Sequence, residues 1–100
     1  MRAAKVDTNH AEVRDGLRAL GVDVIDCHAV AQVVPGFPDL LAWAPKVGWQ
    51  LLEVKAGNGK LTSAEAEFHA ACAGPVWIVW SLEEAAHIMG KEVGDGTGNG

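Results

Sequence analysis

Residues 37–56 read FPDLLAWAPKVGWQLLEVKA and predict a β-hairpin. The first arm is entered through Pro38, a position at which a strand tolerates proline, and both arms are rich in apolar residues. Residues 44–48 supply the proline and the glycine that favour a reversal of the chain. Because side chains alternate along a strand, Glu53 and Lys55 are expected to share one face of the second arm.

The same hairpin is expected to carry a small charged cluster, because Asp39 stands at the start of the first arm. Charges among apolar neighbours are costly to bury unless something offsets them. A divalent metal bound by Asp39 and Glu53, with Lys55 beside a phosphate, would do so. Carboxylates are ligands of Mg²⁺ or Mn²⁺, and the Val54 backbone carbonyl lies close enough to be a third ligand.

Such a site suits phosphodiester hydrolysis. The ion polarises a phosphoryl oxygen and activates a water, while Lys55 stabilises the developing charge or orients the water. The alternative is structural: Asp39 caps a turn, and Glu53 and Lys55 form an exposed pair on a solvated hairpin face.

The rest of the chain predicts an α/β fold with the element order α-β-β-β-α-β-α. Helices are expected on both faces of a small mixed sheet, around a restriction-endonuclease-like core. We predict a loose start over residues 1–6, then a helix over 9–20 capped by Asp7 or Thr8 and ended by Gly21, with Val13, Leu17 and Leu20 on its inner face. The remaining elements are a strand over 22–27, an irregular approach over 29–36, a helix over 62–73, a buried strand over 76–80 and a helix over 81–89. We expect one domain over residues 1–93 and a flexible glycine-rich tail over 94–100.

Composition limits the classes of function. Hydrophobic residues make up 49% of the chain, which is typical of a globular protein, and no apolar run is long enough to cross a membrane. Cys27 and Cys72 lack metal-ligand spacing and predict reduced side chains. We therefore expect a cytoplasmic protein that has no membrane partner. The net charge of −5 argues against a strong general affinity for DNA.

Taken together, several short motifs resemble one known family. They are Asp7-Thr8-Asn9, Leu17–Gly21, Gly36–Leu41, Leu52–Lys55, Leu61-Thr62 with Glu65 and Phe68-His69, and Gly74–Val79. This combination is similar to the VRR-NUC family of the PD-(D/E)xK nuclease superfamily, in its small phage-type form related to Holliday-junction resolvases.

The resemblance implies a DNA endonuclease that depends on Mg²⁺ or Mn²⁺, is selective for branched DNA and acts in a bacterial or phage-infected cell. It implies catalytic roles for Asp39, Glu53 and Lys55, with the Val54 carbonyl as a backbone metal ligand. It also implies a homodimer, and from this chain's apolar residues we expect the contact at either the hairpin with Trp43 and Trp49 or the last helix with Ile88 and Met89.

Two positions depart from the family pattern. Glu65 stands where many relatives carry a glutamine, and it is also the third residue of a predicted capping box. Relatives often place a metal-directing glutamate on the first helix, where this chain offers Glu12 or His10. The alternatives are a solvent-facing Glu12 and a His10 that belongs only to the start of the helix.

The candidate DNA contacts are four cations that are also ordinary surface residues: Lys60, Lys46, Arg14 and Arg18. The histidines at positions 28, 69 and 87 lack ligand spacing and predict core or surface side chains. Trp77 and Trp80 are predicted to be core residues, and Trp43 and Trp49 a cross-strand pair.

Two other functions remain open. The chain could be a nuclease-fold module for DNA binding or assembly that no longer cleaves, or an unrelated α/β domain with a fortuitous hairpin.

Overall fold

The computed structural model describes residues 3–93, and the predicted tail over 94–100 lies outside them. In chain order its elements are α1 (Ala3–Ala19), β1 (Asp23–Asp26), α2 (His28–Ala31), β2 (Leu40–Ala44), β3 (Gly48–Val54), α3 (Ser63–Ala71), β4 (Val76–Val79) and α4 (Leu82–Ile88). The predicted α/β class and order are confirmed, apart from the single-turn helix α2 in a segment expected to be irregular. No helix among these elements has the length and apolar character needed to cross a bilayer.

The four strands form one mixed sheet in the order β1-β2-β3-β4. The first two pairings are antiparallel, and β3 pairs with β4 in parallel. Within the hairpin, Trp43 lies opposite Trp49 with ring centroids 6.5 Å apart, which confirms the predicted pair. At the other end of the hairpin Leu40 lies opposite Leu52, so the register brings Asp39 level with Glu53.

Helices α1 and α4 cover one face of the sheet and enclose the core. The predicted inner face of α1 is confirmed, because Val13 and Leu17 are fully buried and Leu20 packs against the core. Gly16 allows the two helices to approach, since a Cβ there would come within 2.5 Å of the Leu82 side chain.

Both ends of α1 can be compared with the prediction. The described helix already includes Ala3, so the predicted loose start is wrong over residues 3–6, and so is the predicted start at Asn9 with a cap at Asp7 or Thr8. The preceding residues include Ala3, Ala4 and Lys5, which are strong helix formers and allow the helix to extend past a possible cap. The end is as predicted: Gly21 adopts a φ of 89°, and Val22 N–H donates to the Leu17 carbonyl in a Schellman motif.

Strand β4 is less buried than predicted. Trp77 and Trp80 are 41% and 43% exposed, so their assignment to the core is wrong. Of the strand's residues only Val79 is buried, because β4 lies at the edge of the sheet. An apolar run shows that a segment can be buried, but its place in the sheet decides whether it is.

Helix α3 approaches the opposite face of the sheet, beside the loop that leads to Asp39. Gly36 has a φ of 84°, and a Cβ there would collide with the Ala64 backbone, so only glycine permits this approach. Phe37 and Phe68 then pack edge to face with centroids 5.3 Å apart. This contact brings α3 close to the charged end of the hairpin.

Candidate metal centre

The backbone on three sides holds Asp39 in place. Pro38 before it is fully buried, and Cys27 N–H donates to the Asp39 carbonyl over 2.8 Å. Val54 N–H donates to the Asp39 Oδ2 atom over 2.7 Å. One carboxylate oxygen is therefore committed to the neighbouring strand, and the Oδ1 atom is left facing the site.

Glu53 is the one buried carboxylate among the residues whose side chains are described, with 1% of its surface exposed. Its Oε1 atom lies 3.3 Å from His69 Nε2, and its carboxyl group also interacts with Asp39. Burial, followed by the neighbouring Asp39, raises the pKa of Glu53 to about 10. At neutral pH the metal-free protein therefore keeps a neutral acid here, and a bound divalent ion would replace its proton.

The Val54 carbonyl is directed to the side where Asp39 lies. In an extended strand the N–H and C=O of one residue point toward the same neighbour. Since Val54 N–H donates to Asp39, its carbonyl also points toward that side. Two carboxylates and a backbone carbonyl are a hard oxygen donor set, which fits Mg²⁺ or Mn²⁺.

Lys55 is held by Glu65 at the edge of this cluster. The Lys55 Nζ atom lies 2.7 Å from Glu65 Oε1, and the same oxygen accepts the Thr62 N–H over 2.9 Å. The predicted capping box is confirmed, and Glu65 serves both contacts. Burial by itself would raise the pKa of Glu65, but the hydrogen bonds from Lys55 and Thr62 outweigh it and lower the pKa.

Two side chains at the site were not predicted to belong to it. His69 contacts Glu53, and it lies one helical turn after Glu65 on the same face of α3, a spacing visible in the sequence. Asn9 on α1 donates from Nδ2 to the Lys55 carbonyl over 2.6 Å. Asn9 belongs to the Asp7-Thr8-Asn9 motif, but that motif assigned no role to its side chain, since the partner lies far along the chain.

Of the two candidates on the first helix, the structure brings His10 to the site. His10 Nδ1 lies 3.8 Å from Asp39 Oδ1, and His10 Nε2 lies 3.0 Å from Asp26 Oδ2. Glu12 is exposed.

The four candidate DNA-contacting cations are spread over the protein. Arg14 pairs with Asp15 and Asp26, and Arg18 donates to the Val24 carbonyl. Lys46 lies in the turn at the opposite end of the hairpin from Asp39. Lys60 is exposed in the loop between β3 and α3 and is the only one of the four on the loop that follows Lys55.

Among residues 9–93, whose side chains the structure describes, no three His, Cys, Asp or Glu side chains are gathered closely enough to enclose a metal by themselves. This is compatible with Mg²⁺, which usually keeps several waters and needs only one or two protein carboxylates.

Comparison of the chain with models of known families, with curated proteins and with solved structures finds no match.

Proposed function

We propose that this protein is a metal-dependent nuclease that hydrolyses DNA phosphodiester bonds at Asp39, Glu53 and Lys55. The observation that carries the proposal is the buried Glu53 carboxyl, which interacts with Asp39 at the end of the hairpin. A buried acid next to a second acid is unfavourable for folding, and such arrangements concentrate at functional sites.

Each residue has its own part in the proposed reaction. Asp39, Glu53 and the Val54 carbonyl would hold Mg²⁺ or Mn²⁺, which when bound polarises the phosphoryl oxygen and lowers the pKa of a water. Lys55 provides a positive charge where negative charge develops on the phosphate. Glu65 and Asn9 orient Lys55 through its amine and its carbonyl.

The motif resemblance to VRR-NUC proteins supports the same function and suggests branched DNA as the substrate. The rival is a nuclease-fold module that binds or assembles without cleaving. A net charge of −5 and the replacement of the expected glutamine by Glu65 support that rival. A third reading, an unrelated α/β domain, predicts no metal affinity at this hairpin.

One set of assays separates these functions. Titration with Mn²⁺ identifies metal affinity, and cleavage of single-stranded, duplex, flapped and four-way-junction DNA with Mg²⁺ or Mn²⁺ identifies activity and substrate. Metal binding with no cleavage of any substrate would favour the binding module, and no metal binding would favour the unrelated domain.

Lys55→Ala is expected to lower the cleavage rate by roughly 10²-fold or more, the scale of losing one charge contact in the transition state. Metal affinity should remain largely intact, because Lys55 is not a ligand. Single-turnover rates combined with Mn²⁺ calorimetry test this, with Lys91→Ala, just beyond α4, as the control. Because the change leaves Glu65 without its partner, the Lys55→Ala Glu65→Gln double variant checks that the loss is not a folding defect. Normal cleavage at saturating metal, with weakened metal binding, would instead assign Lys55 to ordering the site.

A homodimer is expected through the hairpin face. Trp49 is 56% exposed there beside the partly exposed Trp43, whereas Met89 of the last-helix alternative is 1% exposed and Ile88 is half-buried. Light scattering at tens of micromolar, roughly the range where a standard interface is populated, should detect a dimer that Trp49→Ser weakens and Val33→Ser leaves intact. The dimer should cut branched DNA faster than linear duplex. A monomer with equal rates on the two substrates would refute this expectation.

A further inference from the structure

Three side chains form a line from β1 to the candidate metal centre. Asp26 at the end of β1 contacts His10 Nε2 over 3.0 Å, and the other ring nitrogen of His10 lies 3.8 Å from Asp39 Oδ1. His10 is thus held between two carboxylates that belong to different strand ends. Asp26 was not among the residues that the sequence singled out.

Both carboxylate oxygens of Asp26 contact neighbouring residues. Its Oδ2 atom contacts His10 and accepts from Arg14 Nη1 over 2.8 Å, and its Oδ1 atom accepts the His28 N–H over 3.1 Å. The Arg14 guanidinium forms an ion pair with Asp26, as it would with an ionised carboxylate. An ionised carboxylate only accepts hydrogen bonds, so His10 Nε2 must carry the proton of this pair.

The Nδ1 atom of His10 then has no hydrogen-bond donor opposite it. In the neutral ring Nδ1 is a lone pair, and it points toward Asp39 Oδ1, which is also an acceptor. The other Asp39 oxygen already accepts the Val54 N–H. Two acceptors that face each other are unfavourable unless a cation or a second proton on the ring lies between them.

The separation of these two atoms suits a shared ion. Two adjacent donors that each lie about 2.1 Å from one octahedral ion stand about 3 Å apart. The 3.8 Å between His10 Nδ1 and Asp39 Oδ1 is somewhat longer, so a small rotation of either side chain would bring both atoms onto one ion. Glu53 would supply a third donor once its carboxyl turned from His69 toward the ion, because these three side chains are not yet gathered around one point.

We propose that His10 binds the metal of this site directly through Nδ1, that Asp26 orients it from behind, and that the site therefore prefers Mn²⁺ to Mg²⁺. This inference rests on the proposed nuclease site and specifies its ligands. Metal-bound histidines commonly donate their second N–H to a carboxylate, which fixes the ring and raises its basicity. Imidazole nitrogen strengthens binding of transition ions, whereas Mg²⁺ gains little from it because it prefers oxygen.

Pulsed electron paramagnetic resonance of the Mn²⁺-loaded full chain tests the ligand directly. The wild-type protein should show the coupling of a coordinated ¹⁴N nucleus, and that coupling should change to the ¹⁵N pattern when histidine alone is ¹⁵N-labelled. His28→Ala is the matched control, because His28 touches Asp26 only through its backbone N–H. The coupling should persist in His28→Ala and disappear in His10→Ala. Absence of histidine coupling in the wild-type spectrum would overturn the inference whether or not the variants fold.

Calorimetry tests the selectivity. His10→Ala and Asp26→Asn should each weaken Mn²⁺ binding by about 10- to 100-fold, the range found when a residue that hydrogen-bonds to a metal ligand is replaced. The same substitutions should change Mg²⁺ binding by less than about threefold. Equal losses for the two ions, or none, would contradict the inference. Cleavage without nitrogen coupling would leave the nuclease function standing and reject the His10 ligand. Nitrogen coupling without cleavage would support the His10 ligand and contradict the nuclease function.

Discussion

Asp39→Asn and Glu53→Gln are each expected to abolish metal-dependent cleavage while leaving the domain folded. Both substitutions keep the size of the side chain and remove the negative charge that would hold the ion. The loss should exceed about 10³-fold, more than the removal of a single oxyanion-stabilising donor usually causes. Single-turnover cleavage at saturating Mn²⁺, together with Mn²⁺ calorimetry, measures the two effects in parallel.

Matched controls are available on the same protein. Asp23→Asn and Glu67→Gln make the same chemical changes at exposed positions, and both should retain wild-type rates. If either Asp39→Asn or Glu53→Gln turned over DNA at the wild-type rate, the proposed mechanism would be wrong.

Without metal, the protein is expected to lose stability as the pH rises from about 5 to 9. In the unfolded chain Glu53 ionises near its ordinary pKa of 4.5, whereas burial and Asp39 raise its folded pKa to about 10. Between these values the unfolded state binds fewer protons, so the free energy of unfolding falls with increasing pH. A fall of only about 1 kcal/mol would lower Tm by roughly 4–8 °C in a domain of this size.

The acidic side of the profile has the opposite sign. Asp26 and Glu65 have lowered pKa values in the folded protein, so their contribution is present above their ordinary pKa values and is lost as the pH falls below them. The metal-free protein should therefore be most stable near pH 5. Added Mn²⁺ should reduce the alkaline loss, because the ion replaces the Glu53 proton.

Thermal unfolding from pH 4 to 9, in EDTA and in Mn²⁺, checks this expectation. Glu53→Gln should raise Tm in EDTA at pH 8 and flatten the alkaline slope, whereas Glu67→Gln should leave the slope unchanged. A wild-type Tm that stays level or rises between pH 5 and 9 in EDTA would contradict the assigned state of Glu53.

Local patterns predicted the elements of this fold well. Alternation along residues 49–55 predicted that Glu53 and Lys55 share a face, and proline and glycine predicted the turn between Trp43 and Trp49. These features depend on neighbours in the chain, so their physical causes are visible in the sequence. The same holds for the Thr62 capping box and for the end of α1 at Gly21.

Properties that depend on distant segments could not be predicted in this way. The exposure of Trp77 and Trp80 follows from the position of β4 at the sheet edge, which an apolar run does not encode. The contacts of Glu53 with His69 and of His10 with Asp26 and Asp39 join different elements. Residue types and spacing were therefore enough to nominate two carboxylates and a lysine. Packing α1 and α3 beside the hairpin decided which histidines meet them, because burial and hydrogen bonding are set by the whole fold.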